Sequence, residues 1–411
     1  VGAVHWLILA LMLALGGAGF AVQTLVAQAY GGRRRRRASH AMWMGLWGAL
    51  LTTPAFLLVA WGAPALAGSL RLTPEIQHLA SEYWWPRVLG GSLAVALWAV
   101  LSFYNGVGRP GVSLLVNAFV AIVNAALNEV LMFRLDMGIA GAAWASTVSV
   151  STGLVLSLAL VLARSTRGEF ATHRTWRLRW LALRSVFALG IPTGMMVAFD
   201  VTAFGAFQLL QTQLGAVAGA ATQITTMLTS IAFMPAVGIG MAGTTLVGQS
   251  IGAGDKRWAY VVGNATIRLA VLYMTAIAIL LALLAPWVVP LFVAVSDPRA
   301  GEVAALGVRL LWIAACYQFF DGLNLGAGFC LRGAGDVKFP AIMLAVLAWL
   351  VYVPLAHTLA FDPGQGWIRA APSFGYGAAG GWLAAVIYVA LLGTMLYLRW
   401  RSRAWQRIRL A

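Results

Sequence analysis

Charge is scarce in this sequence. Only 10% of its 411 residues are Asp, Glu, Lys or Arg, 61% are hydrophobic, and mean hydropathy is +0.84. Soluble domains carry roughly a quarter charged residues and about half apolar ones, so a water-soluble globule is excluded. Carboxylates are scarcer still, 12 Asp and Glu against 28 Lys and Arg. The two cysteines, Cys316 and Cys330, fall in one apolar run. On one helix they lie ~21 Å apart at the helical rise per residue, which excludes a bridge between them and leaves the redox compartment undetermined. The two-residue alternation of a membrane β-barrel is missing too. Residues 1–29 lack the basic start of a signal peptide and are apolar for too long. No phosphate-binding P-loop, metal-ligand cluster or nucleophile constellation is present. That argues against a pump driven directly by ATP hydrolysis and against a membrane-embedded enzyme.

What the chain does have is long apolar runs. Eleven are of spanning length: 2–29, 41–68, 84–106, 111–133, 138–163, 185–212, 220–249, 259–292, 304–330, 338–361 and 375–399. They predict an all-α polytopic membrane protein with 11 transmembrane helices, and their plentiful glycine suits close helix packing in lipid. Alternating spans divide the loops into two sets. One holds Arg33 to Arg37, Arg109, Arg164, Arg167, Arg174, Arg177, Arg179, Arg184, Lys256, Arg257, Arg332, Lys338, Arg399, Arg401, Arg403, Arg407 and Arg409. The other holds only Arg71, Arg87, Arg134, Arg299, Arg309 and Arg369. The first set is therefore expected in the cytoplasm of a cell with this protein in its membrane, with Val1 outside and Ala411 inside. The run Arg33 to Arg37 is read as a topology anchor touching anionic lipid headgroups. A nucleic-acid partner is not expected, because no aromatic or base-reading cluster accompanies the charge.

The chain also repeats itself. Residues 23–38, QTLVAQAYGGRRRRRA, return at 244–259 as TTLVGQSIGAGDKRWA. The turn Asn105-Gly106-Val107-Gly108 returns as Arg332-Gly333-Ala334-Gly335, and GIAGAAWA from Gly138 returns as GYGAAGGW from Gly375. Offsets are 221 residues for Thr24 to Thr245, 227 for Gly106 to Gly333 and 238 for Trp144 to Trp382. Three matched boxes in one order make a two-fold internal repeat. In the second half the span 185–212 precedes the TTLVGQ box, while nothing precedes the span ending in QTLVAQ. The repeat unit is therefore expected to be six helices, with the first helix of the first unit expected to be missing from these residues. Six is even, so the two lobes are parallel pseudo-two-fold repeats. They are expected as an N-lobe over 1–164 with five helices, a basic cytoplasmic linker over 165–184, and a six-helix C-lobe over 185–411.

The boxes TLVGQSIGAGD, LRGAGD, GIAGAAWAS and ALNEVLMF, in a six-plus-six layout, resemble the multidrug and toxic compound extrusion (MATE) transporters over essentially the whole chain. The resemblance implies a secondary antiporter that exports organic cations or drugs in exchange for Na⁺ or H⁺, by rocking two lobes around a central cavity. It implies no cofactor beyond that coupling ion, a monomer among membrane lipids, and a bacterial inner-membrane location.

Ionisable groups deep in spanning helices are costly and usually face a cavity. Asp200 lies near the middle of 185–212, with Phe204, Gln208 and Gln211 on its face and Pro192 available to bend the helix. Asp321 lies well inside 304–330, with Tyr317 one turn before it and Asn324 and Gly328 after it on one face. Two polar stripes in one lobe suit a wet lining; the plain alternative is carboxylates that hold packing by bonds across helices. Burial disfavours a bare carboxylate, so each Asp can hold a proton, Na⁺ or a cationic drug, but not all together. No intramembrane Lys is available to neutralise them, and Arg268 can snorkel. The resemblance points to the same residues. An acid four residues before Phe204 and an acid preceding the LRG box are the signature of the NorM-type branch, in which Tyr317 would help cradle the cation.

Asn117, Asn124 and Asn128 line one face of 111–133. The resemblance places Asn124 and Asn128 on the N-lobe cavity wall, while interhelical amide bonding is the other reading. Glu129 departs from the family's usual apolar residue and is read as an extra acid at the outer mouth. Met195, Met196, Phe199, Phe204, Phe319 and Phe320 are read either as an adaptable apolar wall or as ordinary packing. The rival functions are a flippase for lipid-linked precursors from the same superfamily, which would want a basic central cavity, and a channel or non-transporting scaffold.

Overall fold

The computed structural model describes residues 2–61, 74–293, 298–368 and 372–408. Val1, Arg71, Arg369, Arg409 and Ala411, used above for orientation, lie outside the described residues, as do 62–68 of the second predicted run. Among the described residues there is no strand. Lipid offers the backbone no hydrogen-bond partner, and a helix satisfies its own amides internally.

The first half comprises α1 (Gly2–Gly31), α2 (Arg35–Trp61), α3 (Pro74–Leu89), α4 (Gly91–Gly106), α5 (Pro110–Asn128), α6 (Gly138–Leu162) and the short α7 (Arg164–Phe170). The second comprises α8 (Trp180–Gln213), α9 (Ala216–Gly252), α10 (Lys256–Val288), α11 (Ala300–Ala334), α12 (Lys338–Val346), α13 (Val353–Ala360) and α14 (Gly377–Arg401). Among the described residues ten helical runs are long and apolar enough to cross a membrane. An eleventh forms if Ser81–Leu89 and α4, bent by 41° at their junction, count as one. The predicted run 84–106 is thus a broken span. Pro86 and Gly90 sit at the bend, and proline and glycine are usual causes of kinks.

The internal repeat is visible in local geometry. In each half the second-to-last span passes through a π-helical stretch, Glu129–Arg134 after α5 and Leu347–Tyr352 between α12 and α13. The turns before those spans match as well, with Gly108 at φ 80° and Gly335 at φ 85°, a region that costs glycine nothing.

The outer surface inverts the usual rule of a soluble protein. Leu58 is 74% exposed, Leu114 72%, Ile122 70% and Leu350 72%, as expected where hydrocarbon is the solvent.

The chain forms two compact units. Unit 1 runs to Ala198 and takes in Thr244–Ala259; unit 2 comprises Phe199–Gly243 and Tyr260–Ile408. In unit 1, α1 packs along α4 and α2 around Val22, Val26, Met42, Phe103 and Tyr104. In unit 2, α11 packs along α14, and Ala232, Ala236, Met274 and Leu325 form a core.

Within unit 1 the repeated helix exits meet each other. A methyl group on Gly31 would overlap the Gln249 carbonyl, and one on Gly252 would overlap the Gln28 carbonyl. Gln28 matches Gln249 and Gly31 matches Gly252, so the contact is reciprocal. Gln23 Nε2 donates to Thr245 Oγ1 at 3.0 Å, Thr245 Oγ1 donates to the Asn105 carbonyl at 2.9 Å, and Gln249 Nε2 donates to the Gly106 carbonyl at 2.9 Å. The box therefore recurs because each copy supplies the small residue its counterpart's backbone needs.

The linker is tied down by indoles of α2. Trp43 Nε1 donates to the Thr172 carbonyl at 2.9 Å and Trp47 Nε1 to the Trp176 carbonyl at 2.8 Å. Ser39 and Thr175 hydroxyls lie 2.7 Å apart.

Candidate functional site

Unit 2 gathers both intramembrane acids. Asp200 is on α8 and Asp321 on α11, near enough for their charges to interact. Asp321 is only 7% exposed, whereas Asp200 keeps an exposed surface. Asn324 Nδ2 donates to Asp321 Oδ1 at 3.1 Å, one turn along the same helix. The Tyr388 hydroxyl, on α14, donates to Asp200 Oδ1 at 3.3 Å.

An aromatic chain connects the surroundings of the two acids. Tyr317, four residues before Asp321, stacks on Trp382 at 6.3 Å. Phe207 meets the edge of Trp382 at 5.5 Å and Tyr352 at 5.7 Å. Tyr352 stacks on Tyr388 at 4.9 Å, which returns to Asp200. Stacked and edge-on rings at such spacings add specific attraction to the burial of their area, so the acids stand beside a stiff wall. Phe204 packs on Phe207 at 6.2 Å, and Phe320 meets Phe319 edge-on at 5.2 Å.

A threonine row on α9 completes the arrangement. Thr222 accepts from Trp382 Nε1 at 3.3 Å, Thr226 accepts from Gln208 Nε2 at 3.1 Å, and Thr229 bonds the Tyr317 hydroxyl. Spacings of four and three put these hydroxyls on one helical face. Gln211 Nε2 reaches the Ala378 carbonyl at 3.2 Å, while Gln211 Oε1 and Gln318 Oε1 are buried without a partner. Unmatched buried acceptors are uncommon, and these two lie on α8 and α11, the helices that carry Asp200 and Asp321. The arrangement is rich in oxygen acceptors and aromatic faces, which suits a cation.

Seven residues singled out in the sequence, Asp200, Phe204, Gln208, Tyr317, Phe320, Asp321 and Asn324, thus belong to one unit. The sequence does not single out Tyr388, Tyr352 or the threonine row, and it offers Trp382 only as a marker of the repeat. The threonine spacing in ATQITTMLTS was a legible signal; the tyrosines stand alone in apolar runs and gave none.

Asn124 and Asn128 lie in unit 1. Asn124 Nδ2 is 3.5 Å from Ser146 Oγ and 3.4 Å from Ser149 Oγ on α6, and Asn128 Nδ2 donates to Asn124 Oδ1 at 3.3 Å. Glu129 is exposed and stands 4.0 Å from Arg134. Among the described residues no group of three or more His, Cys, Asp or Glu could hold a metal ion.

Comparison with known proteins supplies an independent line. The family model MatE matches residues 2–130 and 192–358. A probable multidrug resistance protein NorM of Mesorhizobium japonicum is 32% identical over 391 residues, covering 90% of this chain and 79% of its own. One of Agrobacterium fabrum is 29% identical over 390 residues, covering 93% and 82%. Among solved structures, a crystal structure of MATE in complex with MaL6 superposes with a TM-score of 0.87 at 18% identity, covering 99% of this chain and 89% of that one.

Proposed function

The chain belongs to the MatE family, and we propose that it is a secondary antiporter that expels organic cations in exchange for Na⁺ or H⁺. It is a multi-pass membrane transporter of the multidrug efflux type, not an enzyme. The coupling ion, the exchange and the motion are the proposal. The single observation that supports it is the acid pair, Asp200 and Asp321, set among Tyr388, Tyr317 and Asn324 in one helical unit.

The chemistry follows from cost. A carboxylate at membrane depth is expensive when bare, so it takes a counter-charge: a proton, a Na⁺ ion or a cationic substrate. Na⁺, a hard cation, suits the carboxylate, amide and hydroxyl oxygens present here. An organic cation instead gains from ring faces such as Tyr317 and Tyr388. Occupancy by one displaces the other, and antiport needs that exclusion. In this reading the moving bodies are the repeats 1–164 and 185–411, joined by 165–184. Asn124 and Asn128 line the substrate path of the first.

Dye efflux from vesicles carrying the purified protein, under an imposed Na⁺ gradient or an imposed pH gradient, tests the proposal. One gradient should drive efflux, and Asp200→Asn and Asp321→Asn should each abolish it while the protein stays in the membrane. Full transport in both variants, or conduction without any counter-ion, would overturn the antiport reading.

A further inference from the structure

Unit 1 contains a second charged feature, far in character from the acid pair. A cavity of about 1010 Å³ is lined by Arg34, Arg36, Arg37, Arg174, Arg177 and Arg179, with two histidines and no carboxylate. Three of the arginines come from the loop and first turn of α2 and three from the linker, some 140 positions later. The indole bonds from Trp43 and Trp47 to the linker backbone hold the two groups together. Glu169, the nearby acid, is engaged elsewhere, 2.6 Å from Arg109 and 3.8 Å from Arg35.

Six arginines lining one hollow concentrate positive charge there, which an anion would relieve. Two long helices, α2 and α8, begin at this cavity, and their free amides and dipoles favour negative charge as well. His40 adds a donor or acceptor: its Nε2 is buried and unpartnered while the ring engages the Arg177 backbone. The rest of the wall is mixed: Gln28, Thr175 and Ser185 are polar, while Leu25 and Ala29 of α1 and Leu181, Ala182 and Val186 of α8 give it an apolar side. Leu181 is 75% exposed and Trp176 52%, so the rim is greasy on its open side.

We propose that this cavity binds the phosphate headgroup of an anionic lipid, preferentially one with two phosphates. Arginine forks grip phosphate oxygens in pairs, and one phosphodiester would leave most of the six unmatched. The apolar side continues into spanning helices, where acyl chains belong. A soluble phosphate would use the arginines but not that side. The bound headgroup would join the α1 exit, the α2 start, the linker and Gly252 at the α9 exit, and so brace the reciprocal Gly31–Gly252 contact.

The full chain, delipidated in a neutral detergent, is titrated with cardiolipin, with phosphatidylcholine and with inorganic pyrophosphate. Binding is read by native mass spectrometry and by melting temperature. Cardiolipin is expected to bind and to raise the melting temperature, and added salt should weaken it. Arg36→Gln and Arg177→Gln are each expected to weaken it about tenfold. Arg33→Gln, removing the same charge outside the lining, should leave affinity within about twofold. Equal binding of phosphatidylcholine, or full affinity in both lining variants, would overturn the proposal. A response to pyrophosphate without one to cardiolipin would overturn the lipid assignment.

Discussion

The hydroxyl of Tyr388 donates a hydrogen bond to the carboxylate of Asp200 at 3.3 Å, although 188 positions separate them in the chain. Tyr388 is itself steadied by stacking on Tyr352. A phenol aimed at a membrane-embedded carboxylate favours its charged form and fixes its direction. Tyr388→Phe keeps the ring and its stacking while removing that donor. Cation affinity in transport assays should fall roughly fivefold, since bonds to charged groups are worth about 1.5–3 kcal/mol and this one is long. Melting temperature should hardly change. Unaltered affinity would show that the bond is incidental.

Gly31 and Gly252 are predicted to act as one device. Alanine at either must push a backbone carbonyl of the opposite helix away, and overpacking of this kind costs about 1–3 kcal/mol. Each variant should melt several degrees lower in detergent. The double variant should lose less than the sum, because one separation relieves both clashes and neighbouring sites are not additive.

Asn124 faces Ser146 and Ser149 on the adjacent helix at 3.5 and 3.4 Å. Bonds of that length are weak, and interhelical polar pairs in membranes average about 0.6 kcal/mol. Asn124→Ala should therefore lower stability only slightly. If efflux of several cationic dyes nevertheless falls by tenfold or more, the amide touches substrate and its role in packing is secondary.

The α2 indoles give a prediction about the linker. Trp43→Phe and Trp47→Phe each delete one bond to its backbone, worth about 1 kcal/mol. Trypsin cleavage near Arg174 and Arg177 should accelerate several-fold, more for Trp43→Phe, whose bond is the less exposed. An unchanged cleavage pattern would mean that packing alone seats the linker.

Much of this molecule was legible in one dimension. An apolar run of spanning length declares its solvent residue by residue, and a carboxylate inside such a run stands out wherever the helix goes. Asp200, Asp321 and the polar stripe Tyr317 and Asn324 were visible for that reason. The repeated boxes around Gly31 and Gly252 were visible as text, but not their purpose, because a missing side chain does not name the carbonyl it makes room for.

What the sequence determined by itself was the class of the protein and the acids it strands in lipid, because each is set by local cost against hydrocarbon; its doubling was legible only as repeated text, and one of its eleven runs is, among the described residues, a bent pair of helices. Which side chains surround those acids was decided only in three dimensions. Tyr388, Tyr352, Trp382 and the row Thr222, Thr226, Thr229 come from other helices, and helix neighbours are chosen by many weak contacts summed over whole faces. The same holds for the arginine cavity. Two basic stretches look alike as solvated charge until the fold closes them around a single space.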